Sequence, residues 1–165
     1  MAAPFIWRHR VAFGDCDPAR IAYTGRLADF ALDALDAFWD DLLDGKGWYH
    51  MNVHQGFGMP FVHMEYDFTA PVRPGEILEC RVWPEAVGKS SVALIVEGWQ
   101  TGRDCFAARF VSVFADLAHM RKMPVSAAIR GALEARFPGL SSNAAPMARR
   151  PDGVRPFSIA ARDRG

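Results

Sequence analysis

Three successive residues near the amino terminus, Asp15, Cys16 and Asp17, combine two carboxylates with a thiol. A carboxylate can act as a general base or a nucleophile, but Asp before proline is also common in turns, where it only binds backbone N–H groups. A reactive thiol needs positive charge nearby, whereas the two flanking aspartates raise the pKa of Cys16. We therefore reject Cys16 as a nucleophile and expect Asp15 to hold the loop through backbone hydrogen bonds. Asp17 is the candidate for chemistry, and its role depends on the rest of the chain.

The segment Tyr23-Thr24-Gly25 stands at the start of a helical pattern. The first N–H groups of a helix have no partners inside the helix and lie at the positive end of its dipole. They can therefore polarise a carbonyl group and stabilise an oxyanion. Gly25 allows a ligand to approach the backbone closely. The corner thus combines a carboxylate with a potential oxyanion hole.

The elements that position this corner follow from two hydrophobic periods. Residues 5–13 are typical of a first strand, and a period near 3.6 predicts a helix over residues 25–45. The apolar side of this helix is wide, which predicts that a sheet wraps around it. From Met59 the period changes to two, which predicts four strands joined by short turns. These strands are expected within residues 59–72, 76–86, 90–100 and 105–117.

One strand, one long helix and four consecutive strands indicate an α+β fold. We expect an antiparallel sheet of about five strands wrapped around one long helix. A short amphipathic helix is predicted after Pro124. Residues 1–140 then form a single domain, and the segment 141–165, rich in Pro, Arg, Ala and Ser, forms an extended tail.

The composition restricts the class of protein. Nineteen basic and nineteen acidic residues in a chain of 165 give a formal net charge of zero, which argues against nonspecific nucleic-acid binding. A neutral chain also lacks a simple electrostatic defence against self-association, so we expect a homo-oligomer. The three cysteines show no metal-ligand spacing, and the first residues contain neither a secretory signal nor a membrane span. These features predict a cytoplasmic protein with reduced thiols and no membrane partner.

Four short motifs occur in an order that resembles a known family. They are "FGDCDPARIAY" at 13–23, "FTAPVRPGE" at 68–76, "VGKSS" at 87–91 and "RKMPV" at 121–125. Together with the order of elements, they resemble the 4-hydroxybenzoyl-CoA thioesterase family of hotdog-fold proteins over roughly residues 11–124. The resemblance implies a hotdog fold and hydrolysis of an acyl-CoA thioester.

The resemblance also implies roles for the corner residues. Asp17 matches the catalytic carboxylate, acting either as a nucleophile that forms a mixed anhydride or as a general base on water. The N–H groups near Thr24 and Gly25 would stabilise the oxyanion, and Tyr23 would contact the substrate. The chain departs from the family in Thr24-Gly25-Arg26 and in Leu32, where an acidic residue is common. The resemblance therefore does not imply a 4-hydroxybenzoyl substrate.

Further candidates for substrate binding lie outside the corner. The aromatic loop that contains Trp48 either roofs an acyl pocket or only packs, while Phe61 and His63 begin a strand near the expected dimer seam. Alternation places Phe61 on the same strand face as His63, Glu65 and Asp67. We interpret these last three residues as a polar strand face rather than a metal site. Coenzyme A phosphates call for cationic and N–H donors. The candidates, by match to the family, are Lys89, Ser90, Ser91, Arg121 and Lys122, with a weaker cluster at Arg149, Arg150 and Arg155.

The sequence therefore predicts a thioester hydrolase acting on an aryl- or short- to medium-chain acyl-CoA. No metal or redox cofactor is implied. Coenzyme A is counted as part of the substrate and not as a cofactor. An open sheet edge predicts a homodimer or homotetramer with sites between subunits. Two alternatives stay open at this stage: a thioesterase acting on acyl carrier protein, and a noncatalytic acyl-CoA-binding hotdog protein. A dehydratase is disfavoured because the motifs are those of thioesterases.

Overall fold

The computed structural model describes residues 2–142, and this part of the chain contains three α-helices and eight β-strands. The helices are α1 (Thr24–Leu42), α2 (Trp48–His54) and α3 (Ala127–Arg136). The strands are β1 (Phe5–Arg10), β2 (Phe57–Gly58), β3 (Phe61–Phe68), β4 (Ile77–Val87), β5 (Ser91–Gln100), β6 (Arg103–Val113), β7 (Ala115–Asp116) and β8 (Arg121–Lys122).

The five long strands form one antiparallel sheet in the order β1-β4-β5-β6-β3. Strands β4, β5 and β6 are consecutive in the chain and form its centre, and β1 and β3 are its two edges. The predicted α+β architecture of a five-stranded antiparallel sheet with one long helix is confirmed. A second, small sheet of order β2-β7-β8 lies beside it.

Helix α1 packs one face against the sheet. Its buried residues are at most 6% exposed and recur every three or four positions, as the sequence predicted: Leu27, Phe30, Ala31, Ala34, Leu35, Phe38 and Trp39. From the sheet, the alternate residues Leu78, Cys80 and Val82 of β4 are fully buried. The aspartates of the opposite helix face are exposed, so the sheet covers α1 on one side only.

A glycine allows strands β5 and β6 to pack closely. Gly98 on β5 pairs with Phe106 on β6, and a Cβ atom at position 98 would overlap the Phe106 ring. Because Phe106 is fully buried, the ring has little room to move away.

The structure differs from the sequence predictions in five places. The first strand ends at Arg10, because Phe13–Asp15 forms a 3₁₀ turn. The long helix ends at Leu42, and the aromatic loop predicted near Trp48 is in part the seven-residue helix α2. The small sheet was not predicted, because strands of two residues are too short to show a period.

The fifth difference is a bulge at the start of β3. The register of β3 against β6 shifts between Phe61 and His63, so strict alternation fails there. Phe61 pairs with the buried Ser112 and packs on the buried Phe110, whereas His63 pairs with Val111 on the opposite face. The expectation that Phe61 and His63 share a face is therefore wrong.

The carboxyl-terminal expectation lies mostly outside the described residues. Ser141 accepts a hydrogen bond from the N–H of Val87 at 2.9 Å. Residues 143–165, including Arg149, Arg150 and Arg155, are not described, so the tail stays a prediction. Within residues 2–142, no helix is long and apolar enough to cross a membrane.

Candidate active site

Backbone hydrogen bonds fold the corner after β1 back on itself. The N–H of Tyr23 donates to the carbonyl oxygen of Asp15 at 2.8 Å, and the N–H of Asp17 donates to the carbonyl oxygen of Ile21 at 3.0 Å. These bonds form a short antiparallel pair just before α1 begins. The carboxylate of Asp17 is therefore held on an ordered loop beside the amino terminus of the helix.

Asp17 itself is only partly engaged. Its Oδ1 accepts a hydrogen bond from the N–H of Ala19 at 2.8 Å, and its carbonyl oxygen accepts one from the N–H of Arg20 at 2.9 Å. Arg20 takes a left-handed conformation with φ of 64° to close this turn. Within residues 2–142, Oδ2 of Asp17 forms no hydrogen bond. The half-buried carboxylate thus keeps one oxygen available for a ligand or water.

Asp15 anchors the corner to its surroundings. Its carboxylate is 5% exposed and accepts hydrogen bonds from Nε2 of His9 at 3.0 Å and from the N–H of Ala12 at 2.8 Å. Nε and Nη2 of Arg26 donate to it at 3.0 and 2.8 Å, and Nη1 of Arg26 donates to Asp29 at 2.9 Å. Burial alone raises the pKa of Asp15, but the bonds from His9, Ala12 and Arg26 outweigh it and lower that pKa to about 2. Asp15 is therefore ionised and structural.

The Cys16 thiol is poorly suited to nucleophilic attack. Burial raises the pKa of Cys16, and the negative charges of Asp15 and Asp17 raise it further. A thiol with a raised pKa carries little thiolate near neutral pH. The prediction that the flanking aspartates raise this pKa is confirmed.

The amino terminus of α1 presents two free donors. Tyr23 precedes the helix in an extended conformation and makes no side-chain cap, and no acidic residue lies in the first turn. The N–H of Arg26 already donates to the carbonyl oxygen of Tyr23 at 2.8 Å. In the part of the chain that the structure describes, the N–H groups of Thr24 and Gly25 donate no hydrogen bond. They are thus available to an oxyanion, as the sequence predicted for helix starts.

Trp48 and Phe61 lie together at the other end of the sheet. Their rings meet edge to face, with centroids 5.7 Å apart, and both line a cavity of about 310 Å³. Other apolar residues of this cavity are Met59, Leu117 and Met120. The indole Nε1 of Trp48 is buried and has no hydrogen-bond partner among residues 2–142. The aromatic pair therefore borders an apolar space of the kind that holds small ligands.

His63 does not join this cavity. It lies on the sheet face turned away from α1, where its Nε2 is 3.4 Å from a carboxylate oxygen of Glu65. Its predicted role in substrate binding stays a prediction. Across residues 2–142, no group of three or more His, Cys, Asp or Glu residues is arranged to hold a metal ion.

The two groups predicted to bind coenzyme A phosphates come together. The carbonyl oxygen of Lys89 accepts a hydrogen bond from the N–H of Val125 at 2.9 Å, which places the Lys89 turn beside the chain that follows β8. Lys89, Arg121 and Lys122 are exposed. Ser90 and Ser91 complete the turn and begin β5. The backbones of the two segments thus lie side by side on one surface of the protein.

This surface and the corner lie at opposite ends of the sheet. The corner is tied to the chain just after β3, because the N–H of Ala22 donates to the carbonyl oxygen of Val72 at 2.8 Å. The turn residue Ser91 pairs with Val113, whose N–H donates to the carbonyl oxygen of Pro60 just before β3. Strand β3, about 23 Å long at 3.3 Å per residue, separates the two ends. One chain alone therefore does not bring Asp17 to the Trp48 cavity or to the Lys89 turn.

Tyr66 is a polar residue that sequence reasoning did not single out. It lies on the α1 side of β3, and its hydroxyl oxygen is buried without a hydrogen-bond partner among residues 2–142. The alternation of the sequence placed Tyr66 among the apolar residues of the strand. No sequence pattern shows whether a buried tyrosine hydroxyl has a hydrogen-bond partner.

Comparison with known proteins identifies the class. The sequence profile of the Thioesterase-like superfamily matches residues 11–133, so the chain belongs to this superfamily. A crystal structure of a thioesterase superfamily protein from Jannaschia sp. CCS1 is 42% identical, covers 82% of this chain and 94% of that chain, and superposes with a TM-score of 0.77. The resemblance to the 4-hydroxybenzoyl-CoA thioesterase family and its hotdog fold is confirmed.

Other similar proteins have named activities. A structure of a 4-hydroxybenzoyl-CoA thioesterase complexed with 4-hydroxybenzoyl-CoA superposes with a TM-score of 0.72 at 21% identity, covering 80% of this chain and 99% of that chain. A 1,4-dihydroxy-2-naphthoyl-CoA hydrolase of Prochlorococcus marinus is 25% identical over 89 residues. That match includes 50% of this chain and spans 57% of the length of the hydrolase.

Proposed function

We propose that the protein is an acyl-CoA thioesterase that hydrolyses an aryl- or short- to medium-chain acyl-CoA to the free acid and coenzyme A. Asp17 attacks the thioester carbon directly or activates a water molecule, and the N–H groups of Thr24 and Gly25 stabilise the oxyanion. The observation that carries this proposal is the corner itself. It presents a partly free carboxylate beside an uncapped helix terminus, in a member of the thioesterase superfamily.

Pairing of two chains would complete the site. Strand β3 is an edge strand, and its residues Val62, Met64 and Phe68 are 44–61% exposed although they are apolar. Antiparallel pairing of two β3 strands about a two-fold axis sets the end of one strand beside the start of the other. This arrangement would bring the corner of one chain to the cavity of Trp48 and Phe61 in the second chain. We therefore propose a homodimer, or a homotetramer built from such dimers.

The same pairing assigns a role to the cationic surface. Lys89, Arg121 and Lys122 would bind the phosphates of coenzyme A, with hydroxyl and N–H donors from Ser90 and Ser91. Tyr23, 57% exposed at the helix start, would contact the part of the substrate next to the thioester. Neither a metal ion nor a redox cofactor enters the proposed reaction, and a cytoplasmic location stays a prediction.

The first prediction tests Asp17 by measuring thiol release from a panel of aryl- and alkyl-CoA esters. Asp17→Asn keeps the shape of the side chain but removes its charge, so we expect kcat to fall about a hundredfold or more. Asp33→Asn makes the same change on the exposed face of α1 and should leave kcat within about twofold. Equal activity of wild type and Asp17→Asn would remove Asp17 from the chemistry.

Three further measurements on the same proteins separate the two roles of Asp17 and the two alternative functions. An acyl adduct on Asp17 in acid-quenched single-turnover samples would identify a nucleophile, and its absence would favour a general base. Hydrolysis of acyl carrier protein esters but not of CoA esters would point to the carrier-protein alternative. Binding of CoA esters without hydrolysis by the wild type would point to the noncatalytic one.

A further inference from the structure

The buried hydroxyl of Tyr66 has no partner in the part of the chain that the structure describes. The ring itself is well packed, with centroids 5.5 Å from Phe110 and 6.0 Å from Phe68. A phenylalanine would make the same ring contacts without burying a polar group. A buried donor without an acceptor costs free energy, so an unpaired hydroxyl in a packed wall indicates that a ligand supplies the acceptor.

The position of Tyr66 relates it to the proposed site. Strand β3 ends at Phe68, two residues after Tyr66, and the chain that follows is bonded to Ala22 just before α1. Tyr66 therefore lies at the end of the sheet that carries the corner. Its side chain is on the sheet face that packs against α1, because it pairs with the buried Ala108 between the core residues Phe106 and Phe110.

Burial favours the protonated form of the Tyr66 hydroxyl. Burial, together with the negative charge of Asp29 on α1, raises the pKa of Tyr66 to about 12. Near neutral pH the group is thus a hydrogen-bond donor and not a phenolate. Asp29 does not accept a hydrogen bond from it, because the Tyr66 hydroxyl has no partner among residues 2–142.

In the proposed reaction the thioester carbonyl lies at the start of α1, at the same end of the sheet as Tyr66. The Tyr66 side chain is therefore on the α1 side of the sheet, at the end where the acyl group would enter.

We propose that Tyr66 determines acyl specificity by donating a hydrogen bond to an oxygen atom on the acyl group, remote from the thioester. The substrate is then an acyl-CoA whose acyl group carries a hydroxyl or carbonyl oxygen that the Tyr66 hydroxyl can reach. This inference rests on the proposed thioesterase function. Tyr66 takes no part in bond making and acts through binding of the acyl group. A site built to hydrogen-bond an oxygen discriminates against an analogue without it, because the buried donor is then left unpaired.

The second prediction uses Tyr66→Phe and pairs of CoA esters that differ by one hydroxyl group, such as a ring-hydroxylated benzoyl-CoA and benzoyl-CoA. We expect wild type to prefer the hydroxylated ester by about tenfold or more in kcat/KM. Tyr66→Phe should lose most of this preference, while kcat/KM for the plain ester stays within about twofold. Its Tm should equal or exceed that of wild type, because the change removes an unsatisfied buried group. Tyr49→Phe, which removes a hydroxyl from a side chain that is 74% exposed, is the matched control and should keep the preference.

The outcomes separate this inference from the function on which it rests. An active wild type whose preference survives in Tyr66→Phe overturns the role of Tyr66 and leaves the thioesterase proposal standing. An equal fall for both esters, with a lower Tm, shows a structural role and overturns the inference as well. A wild type that hydrolyses no ester of the panel overturns both proposals.

Discussion

The two aspartates of the corner differ in their surroundings, and this difference separates their roles. Asp15 is buried and accepts hydrogen bonds from three other residues, which come from β1, the following loop and α1. Asp17 is half-buried and accepts one side-chain hydrogen bond, from the N–H of Ala19. A carboxylate that is fully bonded stabilises the fold, whereas one with a free oxygen remains available to a substrate.

The third prediction concerns the contribution of Asp15 to stability. Its pKa of about 2 in the folded protein lies below the ordinary value of 3.8, so its ionised form favours folding. This contribution is fully present above pH 3.8 and is lost as the pH falls towards 2. It amounts to about 2 kcal/mol, because each pKa unit corresponds to about 1.4 kcal/mol.

Urea unfolding of wild type and Asp15→Asn at several pH values measures this effect. We expect the variant to be less stable by about 2 kcal/mol at pH 7, with a gap that narrows below pH 4. Asp29→Asn removes another partner of Arg26, but that side chain is 53% exposed, so its effect should stay below about 1 kcal/mol. A gap between wild type and Asp15→Asn that does not change with pH would contradict the ionic origin.

At the scale of elements, close packing of β5 on β6 depends on the lack of a side chain at Gly98. The fourth prediction is that Gly98→Ala lowers the free energy of unfolding by about 1–3 kcal/mol, because the added methyl group meets the ring of Phe106. Gly131 is the matched control, since it lies exposed within α3 with no neighbouring atom near an added Cβ. Gly131→Ala should stabilise the protein by about 0.5–1 kcal/mol through helix propensity. Equal effects of the two changes would show that the Phe106 contact is unimportant.

The elements also show how far the sequence alone could lead. The hydrophobic periods of about 3.6 and two residues predicted α1 and the five long strands, because each pattern repeats over many residues. The motif at 13–23 indicated Asp17, and the start of the helical pattern indicated Thr24 and Gly25, as site candidates before any geometry. The bulge that turns Phe61 towards the core shifts the pairing of β3 with β6 by one residue. A shift of this kind is not visible in the alternation of apolar and polar residues.

Other features depend on contacts between distant parts of the chain. The bonds of His9 and Arg26 to Asp15, and the unpaired hydroxyl of Tyr66, arise only when separate elements pack together. Local sequence carries no signal for them. Residues with ordinary roles in a pattern can thus have special surroundings in the fold.

For the whole molecule, the two edges of the sheet are unequal. Edge β3 carries apolar side chains with high exposure, whereas edge β1 has one exposed large apolar residue, Ile6, at 39%. An apolar edge strand with unpaired backbone groups is a surface that favours pairing with another strand. The proposed oligomer therefore uses β3.

The fifth prediction tests this surface by light scattering of purified protein. Wild type should have two or four times the mass of one chain, and Met64→Lys should shift the population towards the monomer at micromolar concentration. Ile6→Lys places the same charge on the other edge and should leave the mass unchanged. A monomeric wild type, or an oligomer that is equally sensitive to both changes, would refute pairing through β3.

The strand order also bears on how the chain folds. Strands β4, β5 and β6 are joined by short turns, so their pairing closes only small loops, whereas β1 and β3 must pair across long intervening segments. Closing longer loops costs more entropy, so local pairing precedes distant pairing. The corner that holds Asp17 connects β1 to α1 and is hydrogen-bonded to the chain after β3. We therefore expect the central hairpins to form first during folding, and the candidate site to become ordered only when both outer strands have joined them.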